Sequence, residues 1–525
     1  ATGGEIVQIK YGRDQKLDGK LTLDFDENYR FLERVLDRSG DIVKNEFCVG
    51  NRKAAVVYVD GMTDADMVED FVIRPLLKKR CDKSGGELLS YVENHVMETV
   101  DWKEDESFED ILTDILSGNT LLLLESCPKA IILSTKKYPS RGVGETQQEM
   151  VIRGPKDSFT ENIRMNTALL RRRIRDPRLK MEHTMIGERS KTDFAIAYMD
   201  DLVQPETLEL VRQKVKAISF DGIFDGGMAE QLLEENSWTP FPQFQHTERP
   251  DKAASGLLEG RIVLLVDNSP GVLLLPATYQ MFFQAGDDYY TRFAVASFAR
   301  LLRFAASFFA IGFPGLYVAI AAFHTEMLPA SFLLSIATAR TGIAIPVALE
   351  ILLMEFRFEL LKEAGIHLPG QLGGTIGIVG GLIVGQAAVE AGIVSTVVVI
   401  VVSFTAIASF IVPNESFGSV FRLLKFLFIF TAAIWGIYGY LLTFAALLFH
   451  LSQLESFGVP YMLPSVCGES LNYDDKKDLY IRYPFASMLK RPIFTREGRR
   501  IRKKETEAEG SFWKRKNKAQ KGRRL

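Results

Sequence analysis

The pattern of apolar and polar residues divides the 525-residue chain into two halves. Up to about residue 292, short apolar runs alternate with amphipathic stretches, which predicts an α/β region. Beyond residue 293 the apolar runs are much longer. Residues 304–323 and 426–449 contain no charged residue, and 375–412 contains only Glu390. Because roughly 20 apolar residues are needed for a helix to cross a bilayer, the pattern predicts an α-helical multi-pass membrane domain over residues 293–455.

The first half alternates predicted strands with predicted helices. An apolar run followed by Asp60-Gly61 indicates a buried strand that ends in a turn. A later helix has Ser107 as its N-cap and Gly118 as its stop signal. Two apolar runs separated by a short turn containing Pro128 indicate a β-hairpin. The predicted elements are a strand at 54–60, helices at 66–79 and 107–117, and hairpin strands at 120–126 and 130–135.

A similar layout returns later in the α/β region. The stretch 116–133 aligns without gaps on 258–275 at an offset of 142, which pairs Gly118 with Gly260. We therefore predict two repeated α/β subdomains, at 41–137 and 183–278. The predicted organisation is an N-terminal extension (1–40), subdomain 1 (41–137), a connector helix region (138–182), subdomain 2 (183–292), the membrane domain (293–455) and a basic tail (456–525).

The connector contains a predicted helix that begins with a capping box of Ser158 and Glu161 and ends near Arg175. Its arginines cover several faces, so the helix is not expected to be fully buried. Two interpretations stay open for them: a solvated connector, or a basic contact with a partner subunit or lipid headgroups.

Four membrane spans are predicted, and four crossings return the chain to its starting side. Arg300 and Arg303 precede the first span, and residues 490–525 contain 15 Lys and Arg against 4 Asp and Glu. Both signals favour a cytoplasmic N-terminal domain and a cytoplasmic tail. No nucleic-acid-binding module accompanies the basic tail, so we expect it to meet the membrane surface and not nucleic acid. The spans are about 304–323, 375–390, 393–412 and 425–449.

The segment 328–363 combines apolar residues with charges. Glu355, Glu359 and Glu363 share one helix face, which predicts an amphipathic helix on or partly within the membrane. The same helix could instead line a water-filled path. Glu350 and Glu355 are bracketed by apolar residues, and Arg357 is their one obvious local partner. In a symmetric oligomer, one glutamate per subunit becomes a ring of carboxylates that selects cations, so Glu350 and Glu355 are the candidate pore-lining residues.

A regular series of glycines within residues 373–385 predicts close packing between helices. Gly373, Gly377, Gly381 and Gly385 recur every four residues in an apolar stretch, and such a stripe lets helix backbones approach closely in lipid. The same stretch is the part of the sequence most similar to a glycine-rich phosphate-binding loop, but helix packing is the favoured interpretation. No catalytic motif occurs, and the histidines and cysteines lack metal-ligand spacing. We therefore predict no enzyme activity, no metal and no cofactor.

Several stretches, taken together, resemble one known family. They are FTENIRMNTALLRRRI (159–174), GRIVLLVDNSPGVLLLP (260–276), DDYY (287–290), FELLKEAGIHLP (358–369), IGIVGGLIVGQAAVEAGIVS (376–395), TAIASF (405–410) and SFGVPYMLP (456–464). On these stretches the chain resembles the A subunits of the spore germinant receptors of endospore-forming bacteria, the GerA family. It departs from the family pattern at His367, Asn414-Glu415 and Asp157-Ser158.

The resemblance implies a multi-pass protein of the spore inner membrane with a cytoplasmic N-terminal domain and a cytoplasmic tail. It implies partnership with a transporter-like B subunit and a lipoprotein C subunit. It further implies a homo-oligomeric ion channel that nutrient binding opens. Sporulation-stage V relatives share the fold. A non-conducting scaffold that clusters receptors is the competing function, and a secondary transporter is disfavoured because no repeat is evident within the membrane half.

Overall fold

The computed structural model describes residues 19–78, 101–138, 146, 149–366, 385–465 and 477–502. The chain forms two compact units. The α/β unit contains Ala1–Glu235, Phe244–Pro276 and Met488–Leu525, and the helical unit contains Asn236–Gln243 and Ala277–Ser487. The predicted division into an α/β region followed by a helical region is confirmed.

The α/β unit contains two five-stranded antiparallel sheets, and we call each sheet with its helices a module. The first module (19–138) has the strand order β1-β2-β4-β5-β3. A π-helical turn, Glu69–Ile73, interrupts the helix that was predicted over 66–79. The elements are α1 (Phe25–Val35), β1 (Ile42–Val49), β2 (Arg52–Val59), α2 (Ala65–Val68), α3 (Arg74–Lys78), β3 (Trp102–Asp105), α4 (Phe108–Ile115), β4 (Thr120–Leu124) and β5 (Ala130–Leu133).

The second module (149–276) has the strand order β6-β7-β9-β10-β8. Each strand thus occupies the same position in its sheet as its counterpart in the first module. Gly118 and Gly260 both adopt positive φ, at 90° and 85°, in the turn before the hairpin. The elements are α5 (Ile163–Arg173), β6 (Leu179–Ile186), β7 (Thr192–Met199), α6 (Pro205–Ala217), α7 (Gly226–Leu233), β8 (Gln245–Thr247), α8 (Pro250–Leu258), β9 (Ile262–Val266) and β10 (Val272–Leu275).

The central strands are continuously apolar because both of their faces are covered. In β4, Leu121 and Leu123 join the core beneath α1 and α4. Leu122 and Leu124 join a second core that includes Val68 of α2. Alternate side chains of a strand point to opposite faces, so a strand between two cores needs an apolar residue at every position. This explains why the run 120–124 shows no alternation.

A buried ion pair joins the two modules. The Arg171 guanidinium, at the end of α5, donates through Nε and one terminal nitrogen to the two oxygens of Asp41 at 2.9 and 3.0 Å. Both side chains are buried. Lys180 donates from Nζ to the backbone oxygen of Val35 at 2.8 Å. Arg171 is therefore buried against Asp41 of the same chain. It contacts neither solvent nor lipid headgroups.

The connector helix begins later than the capping box predicted. Asn162 is the N-cap, and its Oδ1 accepts the backbone N–H groups of Arg164 and Met165 at 2.9 and 3.3 Å. Ser158 is buried and its hydroxyl donates to the backbone oxygen of Phe159. Asparagine caps a helix as well as serine does, so the local sequence contained two competing start signals.

The tail returns to the second module. The backbone N–H of Arg496 donates to the oxygen of Leu202 at 2.8 Å, and the Thr495 hydroxyl donates to the oxygen of Glu259 at 2.7 Å. In the first module the corresponding acceptors are the oxygens of Met62 and Ser117. They receive the backbone N–H of Lys137 at 2.9 Å and the Tyr138 hydroxyl at 2.5 Å.

Among its described residues, the helical unit contains two helices that are long and apolar enough to cross a membrane, Phe293–Phe323 and Glu415–Gln453. Thr396–Phe410 is apolar but shorter. Most of the predicted span 375–390 lies outside the described residues, although 385–390 are helical. The elements are α9 (Asp287–Tyr290), α10 (Phe293–Phe323), α11 (Ala330–Ala339), α12 (Val347–Ile366), α13 (Thr396–Phe410), α14 (Glu415–Gln453), β11 (Glu455–Ser456) and β12 (Val459–Pro460), with 3-10 turns at Tyr279–Phe283, Thr325–Met327 and Phe485–Ser487. A further 3-10 turn, Glu497–Arg499, belongs to the α/β unit.

The last apolar segment is a helical hairpin and not the single span predicted over 425–449. Gly436 has φ 59° and ψ −139°, which interrupts α14. The Thr443 hydroxyl donates to that of Thr431 at 2.8 Å, although 12 residues of straight helix would separate them by roughly 18 Å. Glycine permits the positive φ that this reversal requires. We call residues 415–435 arm A and residues 437–453 arm B.

The helices of this unit run in two opposite directions. Arm A begins beside Phe283 and ends near Phe323, so it is parallel to α10. Arm B, α12 and α13 run the other way. In arm B, Tyr440 lies at Gly312 and Phe444 contacts Phe308. In α13, Phe404 contacts Phe313 and Ala408 packs with Ala306, and in α12 the successive glutamates Glu355 and Glu359 contact Lys425 and then Arg422. The start of α10 and the end of arm B therefore lie at one end of the bundle.

Candidate functional site

In the part of the helical unit that the structure describes, charged side chains are buried at three places. A charge is costly inside a membrane and normally faces the protein interior or water. It stays ionised at low cost only when an opposite charge and hydrogen bonds compensate it. These three clusters are the candidate functional site of the helical unit.

The first cluster surrounds Glu350 in the first turn of α12, a helix that begins directly after Pro346. Its carboxylate lies 3.1 Å from a guanidinium nitrogen of Arg340. The backbone N–H of Ser395 donates to the other oxygen at 2.9 Å. Ser395 is the N-cap of α13, so the carboxylate also meets the positive end of a helix.

The second cluster joins α12 to arm A through four alternating charges. Lys425 Nζ lies 2.6 Å from a Glu355 oxygen and 3.5 Å from Glu359. Arg422 contacts Glu359 at 2.7 Å. The Glu355 side chain is 0% exposed and that of Lys425 is 4% exposed. Two carboxylates and two cations leave the cluster neutral.

These contacts correct two expectations about the membrane half. Glu350 and Glu355 were expected to have no local partner besides Arg357, but each is paired with a cation from outside α12, Arg340 after α11 and Lys425 of arm A. The amphipathic helix was expected to turn Glu355 towards solvent, but Glu355 is fully buried. The partner Lys425 is 70 residues away in the chain, so helix periodicity carries no signal for this contact. The assignment of Glu350 and Glu355 to a pore lining stays a prediction.

The third cluster lies at the start of α10. Asp288 contacts Arg300 at 3.3 Å and Arg303 at 2.7 Å. Arg300 also contacts Asp478 at 2.8 Å, and Arg482 donates to the backbone oxygen of Asp288 at 2.9 Å. The two arginines that served as an orientation signal are therefore neutralised by aspartates. Sequence reasoning missed Asp288 and Arg482 as buried partners; only the DDYY stretch pointed to this place.

The predicted glycine stripe lies largely outside the described residues, since these include Gly385 but not Gly373, Gly377 or Gly381. Two other glycines bring α10 against the hairpin. A β-carbon on Gly315 would lie 2.9 Å from the backbone oxygen of Phe428, and one on Gly312 would overlap the Tyr440 hydroxyl. These glycines lie in the predicted first span, but no spacing motif marks them.

Nothing in the described part of the chain assembles a metal site, because no three His, Cys, Asp or Glu side chains come together there. The buried charges contact one another instead. Ion pairs of this kind can hold neighbouring helices in one position relative to each other. If the pairs open, the helices can shift.

An α/β unit followed by a unit of apolar helices, two of them long enough to cross a membrane, is typical of a membrane protein. The model of the family described as Bacillus/Clostridium GerA spore germination protein matches residues 30–494. The chain belongs to this family.

Several proteins of Bacillus species are similar to this chain. Spore germination protein A1 of Bacillus subtilis (strain 168) is 39% identical over 450 residues, which is 86% of this chain and 92% of the relative. The uncharacterized membrane protein YfkQ of the same strain is 37% identical over 493 residues, covering 93% and 94%. The crystal structure of the N-terminal domain of the A subunit of the Bacillus megaterium spore germinant receptor GerK3 is 29% identical with a TM-score of 0.40, covering 50% of this chain and 99% of that one.

Proposed function

We propose that the chain is the A-type subunit of a spore germinant receptor and that it forms an oligomeric, nutrient-gated ion channel in the spore inner membrane. One observation carries the proposal: the family match at residues 30–494 extends through both the α/β unit and the helical unit. The proposed partners are further copies of this chain, a transporter-like B subunit, a lipoprotein C subunit and the bilayer. The proposed function involves no chemical reaction.

The proposed topology is multi-pass, with the N-terminal domain and the tail both in the cytoplasm. Its support is the direction of the helices. Because α10 begins and arm B ends at the same end of the bundle, a membrane that surrounds the bundle leaves both chain ends on one side. The α12 helix has 20 residues, about 30 Å at 1.5 Å per residue, which matches a ~30 Å hydrocarbon core.

We also propose that the two modules are copies of one subdomain. The common strand order supports this proposal. A local hydrogen-bonding device supports it further. Asn28 exchanges hydrogen bonds with the backbone of Thr22 before α1, and Asn166 does the same with Thr160 before α5. The copies therefore begin at these helices, earlier than the repeats predicted at 41 and 183.

The proposed cation path includes the α12 segment with Glu350 and Glu355. Both carboxylates are buried and paired in the single chain, so a path lined by them requires these ion pairs to open. We propose that this opening accompanies gating. Paired carboxylates then stabilise the closed bundle, and freed carboxylates attract cations into the open path.

A second candidate function is a non-conducting scaffold that clusters receptor complexes, or the role of a sporulation-stage V paralogue. The observation that favours it is the neutrality of the described buried clusters around Glu350 and Glu355, since ion pairs with no net charge serve packing equally well.

Deletion of the gene in the spore-forming host tests the proposal. We expect spores to form normally and to lose the fall in optical density that one or more nutrients trigger, with recovery when the gene is restored. The matched control is a restored gene that encodes Glu390→Gln, since Glu390 is exposed at the end of the helical stretch 385–390. Normal germination on every nutrient that the parent strain uses would contradict the receptor assignment, and defective spore formation would favour the stage V role.

A further inference from the structure

The segment Asn236–Gln243 belongs to the helical unit, although the residues on both sides of it belong to the α/β unit. It contains Trp238, which is 96% exposed. Almost the whole surface of this large aromatic residue is therefore free of contact with the chain. The position of the segment on the helical unit indicates which environment surrounds the indole.

The segment is fixed at the open end of the α14 hairpin. The Thr239 hydroxyl and His450 Nε2 lie 2.8 Å apart. Phe241 is buried, and its ring lies 6.1 Å from those of both His450 and Phe417. The Tyr461 hydroxyl donates to the backbone oxygen of Pro242 at 2.9 Å. These contacts place the segment beside the first turn of arm A and the last turn of arm B.

Trp238 directly precedes this fixed part. Consecutive Cα atoms lie about 3.8 Å apart, so the backbone of Trp238 lies at the level of the open end. The backbone N–H of Trp238 donates to Asn236 Oδ1 at 3.1 Å, which orders the turn. On arm B the residue before His450, Phe449, is also exposed, so the apolar outer surface of the hairpin continues to this level.

The other end of the hairpin has its own exposed aromatic residues, Trp435 and Tyr438, on either side of the Gly436 turn. Phe417 and Trp435 are 18 residues apart on arm A, about 27 Å of helix. This length is close to the ~30 Å thickness of a hydrocarbon core. Tryptophan and tyrosine are enriched at both membrane–water interfaces because their rings are partly apolar and partly polar.

We propose that Trp238 anchors the segment Asn236–Gln243 in the membrane–water interface, with its indole among the lipid headgroups at the open end of the hairpin. The proposal rests on the membrane placement of the helical unit. It goes beyond that placement because it assigns a lipid contact to a residue from the soluble half of the sequence, in a segment without any apolar span.

Tryptophan fluorescence of the full chain in lipid nanodiscs tests the proposal. The chain has four tryptophans, so Phe substitution at three of them leaves one reporter in each variant. The first variant keeps Trp238. The second keeps Trp435 and reports the membrane placement independently. The third keeps Trp102, which is exposed on β3 of the first module. Size exclusion and circular dichroism check that all three fold alike.

Two quenchers are compared: a nitroxide attached to the lipid near its headgroup, and aqueous iodide. We expect the lipid nitroxide to quench Trp238 and Trp435 several-fold more strongly than Trp102, and iodide to show the reverse order. Quenching of Trp238 by iodide as strong as that of Trp102 would overturn the anchor. Protection from both quenchers would also overturn it, because a protein surface would then cover the indole. If Trp435 also escapes the lipid nitroxide, the membrane placement itself fails.

Discussion

The buried pair of Glu355 and Lys425 allows a quantitative prediction. Replacing Lys425 by Met leaves Glu355 fully buried without its cation, and removal of one partner from a buried ion pair destabilises a protein by about 3–5 kcal/mol. Replacing Glu355 by Gln is expected to cost less, since Lys425 keeps Glu359 at 3.5 Å. The double variant Glu355→Leu/Lys425→Leu removes both charges and is expected to be within about 1 kcal/mol of the parent.

The assay is the midpoint of thermal unfolding of the full chain in detergent, followed by a helix signal. For a unit of about 200 residues, 1 kcal/mol shifts the midpoint by roughly 2–4 °C. Lys425→Met is therefore expected to lower the midpoint by about 6–20 °C, while the exposed Glu390→Gln leaves it unchanged. If the double variant is as unstable as the sum of the single variants, the two side chains are not coupled and the reasoning about the cluster is refuted.

Three further predictions concern the α/β unit. Gly260→Ala is expected to lower the unfolding midpoint by the equivalent of about 1–2 kcal/mol, because φ is 85° and the added carbon meets backbone atoms at 2.9 Å. The control is Gly498→Ala, which should leave the midpoint unchanged because open space surrounds Gly498. Burial raises the pKa of Glu230 from 4.5 to about 7, so the folded state binds an extra proton in this window. Stability should fall as pH rises from 4.5 to 7, and Glu230→Gln should flatten the profile. Asp41→Asn leaves the buried Arg171 unpaired and is expected to increase protease cleavage between the modules; unchanged cleavage would contradict the ion pair as the link.

Local signals predicted the α/β elements with small shifts in their boundaries. The hairpin strands were expected at 120–126 and 130–135 and occur at Thr120–Leu124 and Ala130–Leu133. Their apolar runs and the glycine before them are properties of neighbouring residues, and such signals are visible in sequence. The helix predicted at 107–117 occurs at Phe108–Ile115 for the same reason.

Tertiary contacts were not predictable in this way. The run 425–449 satisfies the criterion for one span, and nothing in its hydropathy distinguishes Gly436 from Gly439 as the place of reversal. The candidate residues Glu350 and Glu355 were recognised from charge in an apolar context. Their partners Arg340 and Lys425 lie outside α12, and helical spacing predicts contacts only within one helix.

The most direct test of the account is the current through the purified receptor complex in a planar bilayer, recorded as nutrient is added. The account predicts a cation-selective conductance that appears with nutrient. It predicts that Glu350→Gln and Glu355→Gln each reduce this conductance and its selectivity, while Glu390→Gln does neither. An assembled complex that conducts no ions with any nutrient that germinates the parent spores would contradict the channel. A conductance that both variants leave unchanged would remove the α12 carboxylates from its path.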